Sequence, residues 1–374
     1  MAWIILIASL IYAYWVLKLR NAWHDIPIKF PDAGLELKSR FSVIVPMRNE
    51  EGNIEKLLQD LLKQNYSNFE VLVIDDASTD NSRSVVEAYT TQHPQLIKLI
   101  TLDEPTTGSP KKRAIAEGIK VSTGDIILTT DADCRVNDLW LPTIAMEFSD
   151  KKVKMLSGPV TFHEGESVWR NFQIIEFASL VGTGAASMHL KSPNMCNGAN
   201  LAYRKSSFEQ AGGFAGSEHI ASGDDEFLMH KIFALDGEGV RFLKNPEAIV
   251  RTNPPASLRE FIQQRRRWAG KWGQYKNKDA SKLAASIFVY HFLWILSLAF
   301  LIFGQAQTDI ILAAFVLRIF TNWLFLKDIT EFFGHRIKFF NFLLLELIYS
   351  FYVVFFGLLA NFGKYEWKGR VFRR

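Results

Sequence analysis

The stretch DIILTTDADCR, residues Asp125–Arg135, joins a short β-rich apolar run to two carboxylates placed two positions apart. An unbroken apolar run is typical of a strand that is buried on both faces of a parallel sheet. Ending such a strand with Asp131 and Asp133 costs desolvation and brings like charges together, which a core alone does not require. The stretch therefore predicts a buried strand whose carboxyl end lies at a binding site, with a solvated turn as the alternative interpretation.

Strand and helix patterns alternate on the N-terminal side of this stretch. The clearest helical segment, Asn53–Gln64, repeats apolar residues every three to four positions, and Asn53 is expected to be its N-cap. Strands separated by helices of this length indicate βαβ units and a mainly parallel α/β sheet. The other predicted strands are FSVIVP (Phe41–Pro46), VLVID (Val71–Asp75) and LIKLITL (Leu96–Leu102), and the other predicted helices are NSRSVVEAYTTQ (Asn81–Gln92) and KKRAIAEGIKVS (Lys111–Ser122).

Acidic side chains follow three of the predicted strands, at the positions where each strand ends. Glu50 follows the first strand, Asp76 the second, and Asp131 and Asp133 the fourth. Ligands of open α/β sheets bind beyond the carboxyl ends of the strands, so these acids are expected at one site. Mg²⁺ or Mn²⁺ together with a nucleotide diphosphate would suit them, because these ions prefer carboxylate and phosphate oxygens.

Four sequence blocks carry a resemblance to a known family. In this order and at these intervals they are similar to the donor-binding half of family 2 glycosyltransferases. The resemblance extends from about Ser42 to Gly270 and implies a GT-A fold, a nucleotide-diphospho-sugar donor and a divalent metal, Mg²⁺ or Mn²⁺. The blocks are VIVPMRNEEGNI (Val43–Ile54), VLVIDDASTDNS (Val71–Ser82), KKRAIAEGI (Lys111–Ile119) and IILTTDADC (Ile126–Cys134).

The resemblance implies donor-binding roles for residues of each block. Lys111 or Lys112 would approach the diphosphate or the base. Asp131 would contact the nucleotide or the donor sugar, and Asp133, with Asp131, would hold the metal. The nucleoside pocket would be lined by Pro46, Glu50 and Asp76, and Asp75 directly precedes Asp76 at the strand end.

A further motif, GDDEFL, opens a predicted helix that starts near Ser222. Acids in a first helical turn favour the helix dipole by up to ~1 kcal/mol, which explains this acidity without any catalytic role. The motif is nevertheless similar to the family's T-E-D-x-x-L, although Gly223 replaces Thr and Asp224 replaces Glu. Asp225 matches the family's Asp, and the resemblance therefore implies that Asp225 is the catalytic base.

The segment QQRRRWAGKW, Gln263–Trp272, contains the order Q-x-x-R-W at Gln264, Arg267 and Trp268. This order resembles a family motif that is prominent in polysaccharide synthases without being exclusive to them. Arg267 can clamp phosphate oxygens at two points, and Trp268 offers a flat apolar face to an acceptor sugar. All three residues are therefore predicted to bind substrate.

The same basic segment has a second interpretation. A basic helix beside a membrane attracts anionic lipid headgroups, and that attraction alone would explain Arg265, Arg266 and Lys271.

The composition predicts membrane segments. Hydrophobic residues make up 48% and aromatic residues 13% of the 374 residues, more than an ordinary soluble domain contains. Lys18 and Arg20 follow the first apolar segment, whereas a signal peptide carries its charges in front, so an uncleaved anchor is expected. The apolar segments are Met1–Leu17, Leu283–Thr308, Ile310–Leu326 and Phe339–Gly363.

The predicted organisation comprises an N-terminal transmembrane anchor (1–20), a cytoplasmic GT-A domain (40–282), two or three membrane helices (283–363) and a basic tail (364–374). The positive-inside rule places the residues from Lys18 onward in the cytoplasm, and it also places the basic tail there. Three C-terminal crossings would instead leave the tail on the opposite side. Ile310–Leu326 would then lie flat or re-enter. Arg318 and Glu346 interrupt the apolar segments. Because charges inside a membrane need partners, we predict that these two side chains pair. The alternative is that they lie separately near the membrane interfaces.

The sequence thus predicts an inverting glycosyltransferase of the inner (plasma) membrane that uses a nucleotide-diphospho-sugar, with UDP preferred on family frequency alone. The expected acceptor is a lipid or a lipid-linked glycan, and the alternatives are a processive polysaccharide synthase or a non-catalytic scaffold. No G-x-G-x-x-G follows the first strand and no P-loop motif is present, which argues against a dehydrogenase or P-loop enzyme. A net charge of +4 gives no support for nucleic acid, and two cysteines without a C-x-x-C pair argue against zinc.

Overall fold

The computed structural model describes residues 1–30, 37–104, 108–220, 222–270, 278–304, 307–359, 365–368 and 370–372. Lys271 and four residues of the predicted tail (Lys364, Gly369, Arg373 and Arg374) lie outside this part. The chain divides into two units. The helical unit comprises Met1–Asp25, Glu164–Ala186 and Pro254–Arg374, and the sheet unit comprises Ile26–His163 and Ser187–Asn253.

The strands in chain order are β1 (Phe41–Met47), β2 (Phe69–Asp76), β3 (Ile97–Leu102), β4 (Ile126–Thr129), β5 (Met155–Ser157), β6 (Val160–Phe162), β7 (Leu201–Arg204), β8 (Val240–Phe242), β9 (Val250–Thr252), β10 (Tyr365–Trp367) and β11 (Arg370–Phe372). The helices are α1 (Ala2–Asp25), α2 (Ile54–Leu62), α3 (Ser82–Gln92), α4 (Pro110–Val121), α5 (Trp140–Phe148), α6 (Val168–His189), α7 (Lys205–Gln210), α8 (Asp224–Leu235), α9 (Leu258–Ala269), α10 (Lys278–Ile302), α11 (Thr308–Phe332) and α12 (Phe339–Leu359).

The sheet unit is built on a mixed sheet in the strand order β3-β2-β1-β4-β7-β5-β8. Strands β3, β2, β1 and β4 run parallel, as predicted, whereas β7 is antiparallel to both β4 and β5. Every residue of β2 and β4 is buried, which is what helices on both faces of a parallel sheet require. The prediction of an α/β fold with a mainly parallel sheet is therefore confirmed.

The predicted helix after β1 forms as α2, which begins directly after Asn53 and ends at Leu62, two residues before the predicted end. Its apolar face, Leu57, Leu58 and Leu61, is buried. Asn53 precedes the helix but makes no side-chain cap, because its amide instead donates to the Glu50 carboxylate at 2.8 Å. Asn53 therefore occupies the predicted N-cap position, but its side chain makes no capping hydrogen bond.

The helical unit carries the segments predicted to enter a membrane. Within the described residues, four helices are long and apolar enough to cross one, by length and composition: Ala2–Asp25, Ser281–Ile302, Thr308–Phe332 and Phe339–Leu359. The segment predicted to lie flat or re-enter, Ile310–Leu326, forms part of the continuous helix α11.

Arg318 of α11 and Glu346 of α12 pair inside this unit, as predicted. Arg318 Nε lies 2.9 Å from Glu346 Oε2, and both side chains are almost fully buried. Arg318 also donates to Ser350 Oγ at 2.8 Å, and Asn322 donates to Glu346 Oε1 at 2.9 Å. Tyr12 of α1 donates to the Asn322 amide oxygen at 3.1 Å, so the polar network also connects α1 with α11 and α12.

Glu346→Leu should be strongly destabilising, because it leaves Arg318 buried without its carboxylate. Removing one partner of a buried ion pair costs roughly 3–5 kcal/mol, whereas replacing both partners with apolar residues is often neutral. We therefore expect a large loss of unfolding free energy in Glu346→Leu and substantial recovery in Arg318→Leu/Glu346→Leu, measured by denaturant unfolding in micelles. Glu331→Gln, in an exposed pair with Lys327 on α11, is the control. Equal stability of the single and double variants would contradict this account.

Candidate functional site

The carboxyl ends of β1, β2 and β4 meet at one edge of the sheet, because the three strands are parallel neighbours. Met47 at the end of β1 is in register with Asp75 of β2. Beyond β4, the Thr130 amide still donates to the Ile44 carbonyl at 3.2 Å, so Asp131 leaves the sheet directly at this edge. The backbone therefore delivers the predicted acids to the edge at which open α/β sheets bind ligands.

Asp75 and Asp76 at the end of β2 are both buried but have different partners. The Asp75 carboxylate accepts the Ser78 amide hydrogen at 3.1 Å and so shapes the turn that follows the strand. Asp76 Oδ1 lies 3.0 Å from Arg113 Nη2 of α4. Arg113 was not among the predicted site residues, although it follows the two predicted lysines directly in sequence.

The loop after β1 is tied to the end of β2. Arg48 donates to the carbonyls of Asp76 and Ala77, each at 2.7 Å. The Glu50 amide donates to Ser82 Oγ at 2.6 Å. Pro46 is half-buried at the end of β1. These contacts hold Pro46, Glu50 and Asp76 at or next to the ends of two adjacent strands. The predicted nucleoside pocket requires these three residues to lie close together.

Lys111 connects the D-A-D loop to the start of α8. Its ammonium lies 2.6 Å from Asp131 Oδ1 and 3.6 Å from Asp224 Oδ2. Burial alone would lower the pKa of Lys111, but the Asp131 and Asp224 carboxylates outweigh it and raise that pKa above its usual value. Burial raises the pKa of Asp224, and repulsion from Asp225 and Asp131 adds to this, against the opposing effect of Lys111. The site thus combines clustered acids with one shared cation.

Lys112 has a different environment from Lys111. It is buried, and its ammonium donates to the carbonyls of Ser217 at 2.6 Å and Ile220 at 3.1 Å. It also lies 4.9 Å from the centre of the Phe227 ring. Lys112 therefore holds the loop before α8, whereas Lys111 pairs with Asp131 and Asp224.

Asp133 is held by β9, which sequence reasoning did not connect with it. Thr252 Oγ1 donates to Asp133 Oδ2 at 2.9 Å. Two residues further on, Arg135 exchanges backbone hydrogen bonds with Arg251, and its guanidinium clamps both carboxylate oxygens of Asp60 at 2.6 and 2.8 Å. These contacts fix the D-A-D loop from both sides.

Asp225 lies in the first turn of α8 and is half-buried, in contrast to the buried Asp224. Its carboxylate accepts the Gly198 amide hydrogen at 3.0 Å and the Glu226 amide hydrogen at 2.8 Å. Hydrogen bonds to the ionised form hold a carboxylate in one orientation, and an ionised carboxylate keeps further lone pairs for another proton. The geometry is compatible with a base whose orientation is fixed by the backbone.

Gly198→Ala should disturb this cluster, because a methyl group there would press against two charged side-chain ends, which must move by a few tenths of an ångström. A Cβ at Gly198 would lie 3.0 Å from Asp224 Oδ2 and 3.4 Å from Lys111 Nζ. Overpacking of this kind typically costs about 1–3 kcal/mol, so we expect a lower unfolding midpoint. Gly52→Ala is the control, since nothing lies within 4 Å of a Cβ at that position. Equal midpoints for the two variants would contradict the close approach.

The three Q-x-x-R-W residues lie on α9, in the helical unit, whereas the acids lie in the sheet unit. Gln264 accepts a hydrogen bond from the guanidinium of Arg265. Trp268 stacks against Phe177, with ring centres 6.0 Å apart. Arg267 is half-buried. Arg265 itself is 4% exposed and paired with a carboxylate, so its interpretation as a lipid-headgroup contact is wrong.

The residues of the acid edge fit a divalent metal held partly by substrate. Asp131 and Asp133 supply carboxylates from one loop, two residues apart. Across the described ranges, no group of three or more His, Cys, Asp or Glu side chains is arranged to hold a metal. Mg²⁺ commonly takes one or two protein carboxylates and completes its shell with phosphate oxygens and water. The donor set fits that pattern.

Comparison with known proteins agrees with the fold. The family profile described as Glycosyl transferase family 2 matches residues 42–212. Glycosyltransferase AglE of Haloferax volcanii is 30% identical over 188 residues, covering 49% of this chain and 58% of AglE. Poly-β-1,6-N-acetyl-D-glucosamine synthase of Staphylococcus aureus is 26% identical over 269 residues, covering 70% of this chain and 61% of the synthase. The chain spans about half to three fifths of the length of the curated relatives it matches.

A solved structure shares the architecture over nearly the whole chain. It is the mannosyltransferase PcManGT from Pyrobaculum calidifontis, in complex with GDP-Man and Mn²⁺, with a TM-score of 0.56 and 20% identity. The match covers 96% of this chain and 98% of that one, and at this identity it shows the fold alone. Residues 42–212 thus match the glycosyltransferase family 2 profile, the curated relatives named above are glycosyltransferases or a polysaccharide synthase, and the chain shares its GT-A fold with a solved mannosyltransferase.

Proposed function

We propose that the chain is an inverting glycosyltransferase that transfers a sugar from a nucleotide-diphospho-sugar to a lipid or lipid-linked glycan. The observation that carries this proposal is the grouping of Asp76, Asp131 and Asp133 at or after the ends of neighbouring parallel strands, with Lys111 between Asp131 and Asp224, the residue before Asp225. PcManGT, which shares the fold, binds GDP-Man and Mn²⁺, and this supports a nucleotide-sugar and a divalent metal here.

Donor binding would involve each strand end. Pro46, Glu50 and Asp76 would line the nucleoside pocket, with Asp75 shaping the turn beneath it. Asp131 and Asp133 would hold Mg²⁺ or Mn²⁺, which when bound supplies positive charge for the leaving diphosphate. Lys111 would exchange its contact with Asp131 for one with the donor phosphates, while Lys112 would support the neighbouring loop.

Asp225 would accept the proton of the acceptor hydroxyl as that oxygen attacks the anomeric carbon. The Gly198 and Glu226 amides hold its carboxylate in place, so little reorganisation is needed when the proton arrives. The new bond forms opposite the leaving diphosphate, and a single displacement of this kind inverts the anomeric configuration. As predicted from the sequence, Arg267 would clamp phosphate oxygens, Trp268 would offer its flat face to the acceptor sugar, and Gln264 would bind substrate.

The proposed acceptor and location follow from the helical unit. Four of its described helices can cross a membrane by length and composition. A membrane-bound acceptor meets a tethered enzyme at a much higher effective concentration than a freely diffusing one. We therefore propose a multi-pass protein of the inner (plasma) membrane, with the sheet unit on the cytoplasmic side where nucleotide-sugars are made.

A processive polysaccharide synthase is the second candidate function. The Staphylococcus aureus synthase, which covers 70% of this chain, and the Q-x-x-R-W order favour it. Membranes containing the protein, incubated with labelled nucleotide-sugars, separate the two: one short lipid product indicates single transfer, and a ladder of long chains indicates processive synthesis. The donor is chosen beforehand by a thermal-shift screen of nucleotide-sugars with and without Mn²⁺. No shift and no labelled product with any donor would contradict both functions.

A further inference from the structure

Three helices of the helical unit meet at a buried ion pair. Arg265 of α9 donates through Nε to Glu176 Oε1 of α6 at 2.9 Å, and its Nη2 pairs with the other carboxylate oxygen. Tyr352 of α12 donates to the same Glu176 Oε1 at 2.7 Å. The Arg265 and Glu176 side chains are 4% and 2% exposed. We call Glu176, Arg265 and Tyr352 the three-helix clamp.

Arg265 also contacts the two motif residues on either side of it. Its Nη1 donates to the Gln264 amide oxygen. The amide nitrogen of Gln264 is then the group directed to a substrate. Its guanidinium lies 4.4 Å from the centre of the Trp268 ring. Trp268 also stacks on Phe177 of α6 at 6.0 Å, with 27° between the rings. The orientations of Gln264 and Trp268 therefore both depend on Arg265.

Packing alone does not explain the clamp. Buried ion pairs are weak stabilisers, because desolvation offsets their attraction, and apolar residues of similar volume often serve as well. The same three helices already pack through an aromatic cluster, in which Phe261 of α9 lies 6.1 Å from Phe172 of α6 and 6.2 Å from Phe356 of α12. What an apolar replacement could not supply is a planar donor that binds Glu176 through two nitrogens and Gln264 through a third.

We propose that Arg265 is a positioning residue for sugar transfer. Glu176 and Tyr352 hold its guanidinium, and the guanidinium orients Gln264 and Trp268 for the substrate. Helix α12, a candidate membrane span, is thereby linked to the motif helix α9 through one carboxylate. The inference rests on the proposed function, because the roles of Gln264 and Trp268 belong to it.

Arg265→Lys tests the proposal, since it keeps the charge but loses the planar fork. Small displacements of positioning groups can cost ~10²-fold in rate, so we expect kcat/KM for the acceptor to fall by ~10–100-fold per folded molecule. Glu176→Gln should act in the same direction. Arg318→Lys is the matched control, because it alters a buried Arg–Glu pair that touches none of the motif residues. It should leave transfer per folded molecule within about two-fold of wild type, as distant sites do.

A double-variant comparison separates positioning from general loss of structure. Arg265→Lys should add little to the defect of a Gln264→Ala/Trp268→Ala variant, because the residues through which it acts are gone. A merely structural role predicts the same fold-change in both backgrounds, as independent effects add in free energy. If Arg265→Lys does not fold, Glu176→Gln is compared in the same two backgrounds and decides the question.

The two proposals can fail separately. If the wild type transfers sugar but Arg265→Lys and Glu176→Gln both transfer it as well as Arg318→Lys, the positioning role is overturned and the transferase function stands. If the wild type transfers nothing, acrylamide quenching of Trp268, isolated as the difference from a Trp268→Phe variant, still tests the contact. Greater quenching in Arg265→Lys than in the wild type supports the clamp, and unchanged quenching overturns it.

Discussion

Asp225→Asn should lower sugar transfer by ~10²–10⁴-fold, the range typical of general base assistance, while nucleotide-sugar binding is retained. Asparagine has nearly the same shape but cannot accept the proton of the attacking hydroxyl. Its amide oxygen can still accept from Gly198 or Glu226, so the start of α8 should keep its structure. The measurements are single-turnover transfer and the thermal shift produced by the donor.

Two further Asp→Asn variants show whether this loss is specific. Asp236→Asn lies at the C-terminal end of the same helix and should retain near-wild-type transfer. Asp224→Asn removes a partner of Lys111 and should weaken donor binding more than chemistry. Full transfer by Asp225→Asn, or a loss shared equally with Asp236→Asn, would exclude Asp225 as the base.

Asp133→Asn should abolish the part of donor binding that depends on a divalent metal. Residues that only orient a metal ligand typically change metal affinity by 10–100-fold, and loss of a ligand itself should exceed this. We expect the wild type to bind its nucleotide-sugar more tightly with Mn²⁺ than with a chelator, and Asp133→Asn to bind equally weakly in both. Titration of the donor under the two conditions measures the difference.

Asp138→Asn is the control for this variant, because it changes an exposed acid five residues further along the same segment. It should keep the full response to Mn²⁺. If Asp133→Asn keeps that response as well, the metal does not bind through Asp133, and the interpretation of the D-A-D sequence as a metal site is wrong.

Strands β1, β2 and β4 were predictable because they are buried on both faces and their apolar sequences show it. β7 was not, since LAYR is short and its antiparallel pairing with β4 and β5 depends on contacts distant in sequence. The roles of the two lysines were also left open. Neighbouring residues on a helix point in directions about 100° apart, and only the folded chain shows that Lys111 pairs with the acids and Lys112 with the loop at Ser217.

Some side-chain pairs could likewise be predicted from the sequence, and others could not. Arg318 and Glu346 could be matched from sequence, because isolated charges in apolar membrane segments need partners. Glu176 and Arg265 are 89 residues apart, and Asp133 and Thr252 are 119 apart, in segments where charges and hydroxyls are common. No local pattern distinguishes such a pair from a solvated side chain. The tertiary fold alone identifies it.

The account depends on a metal-bridged diphosphate at the carboxyl ends of β1, β2 and β4. An anomalous-scattering map of crystals grown with Mn²⁺ and the nucleoside diphosphate that gives the largest thermal shift tests this most directly. We predict a manganese peak within coordinating distance of Asp133, bridged to diphosphate oxygens, with the nucleoside between Pro46 and Asp76. A nucleotide bound elsewhere, or a manganese peak away from both Asp131 and Asp133, would contradict it.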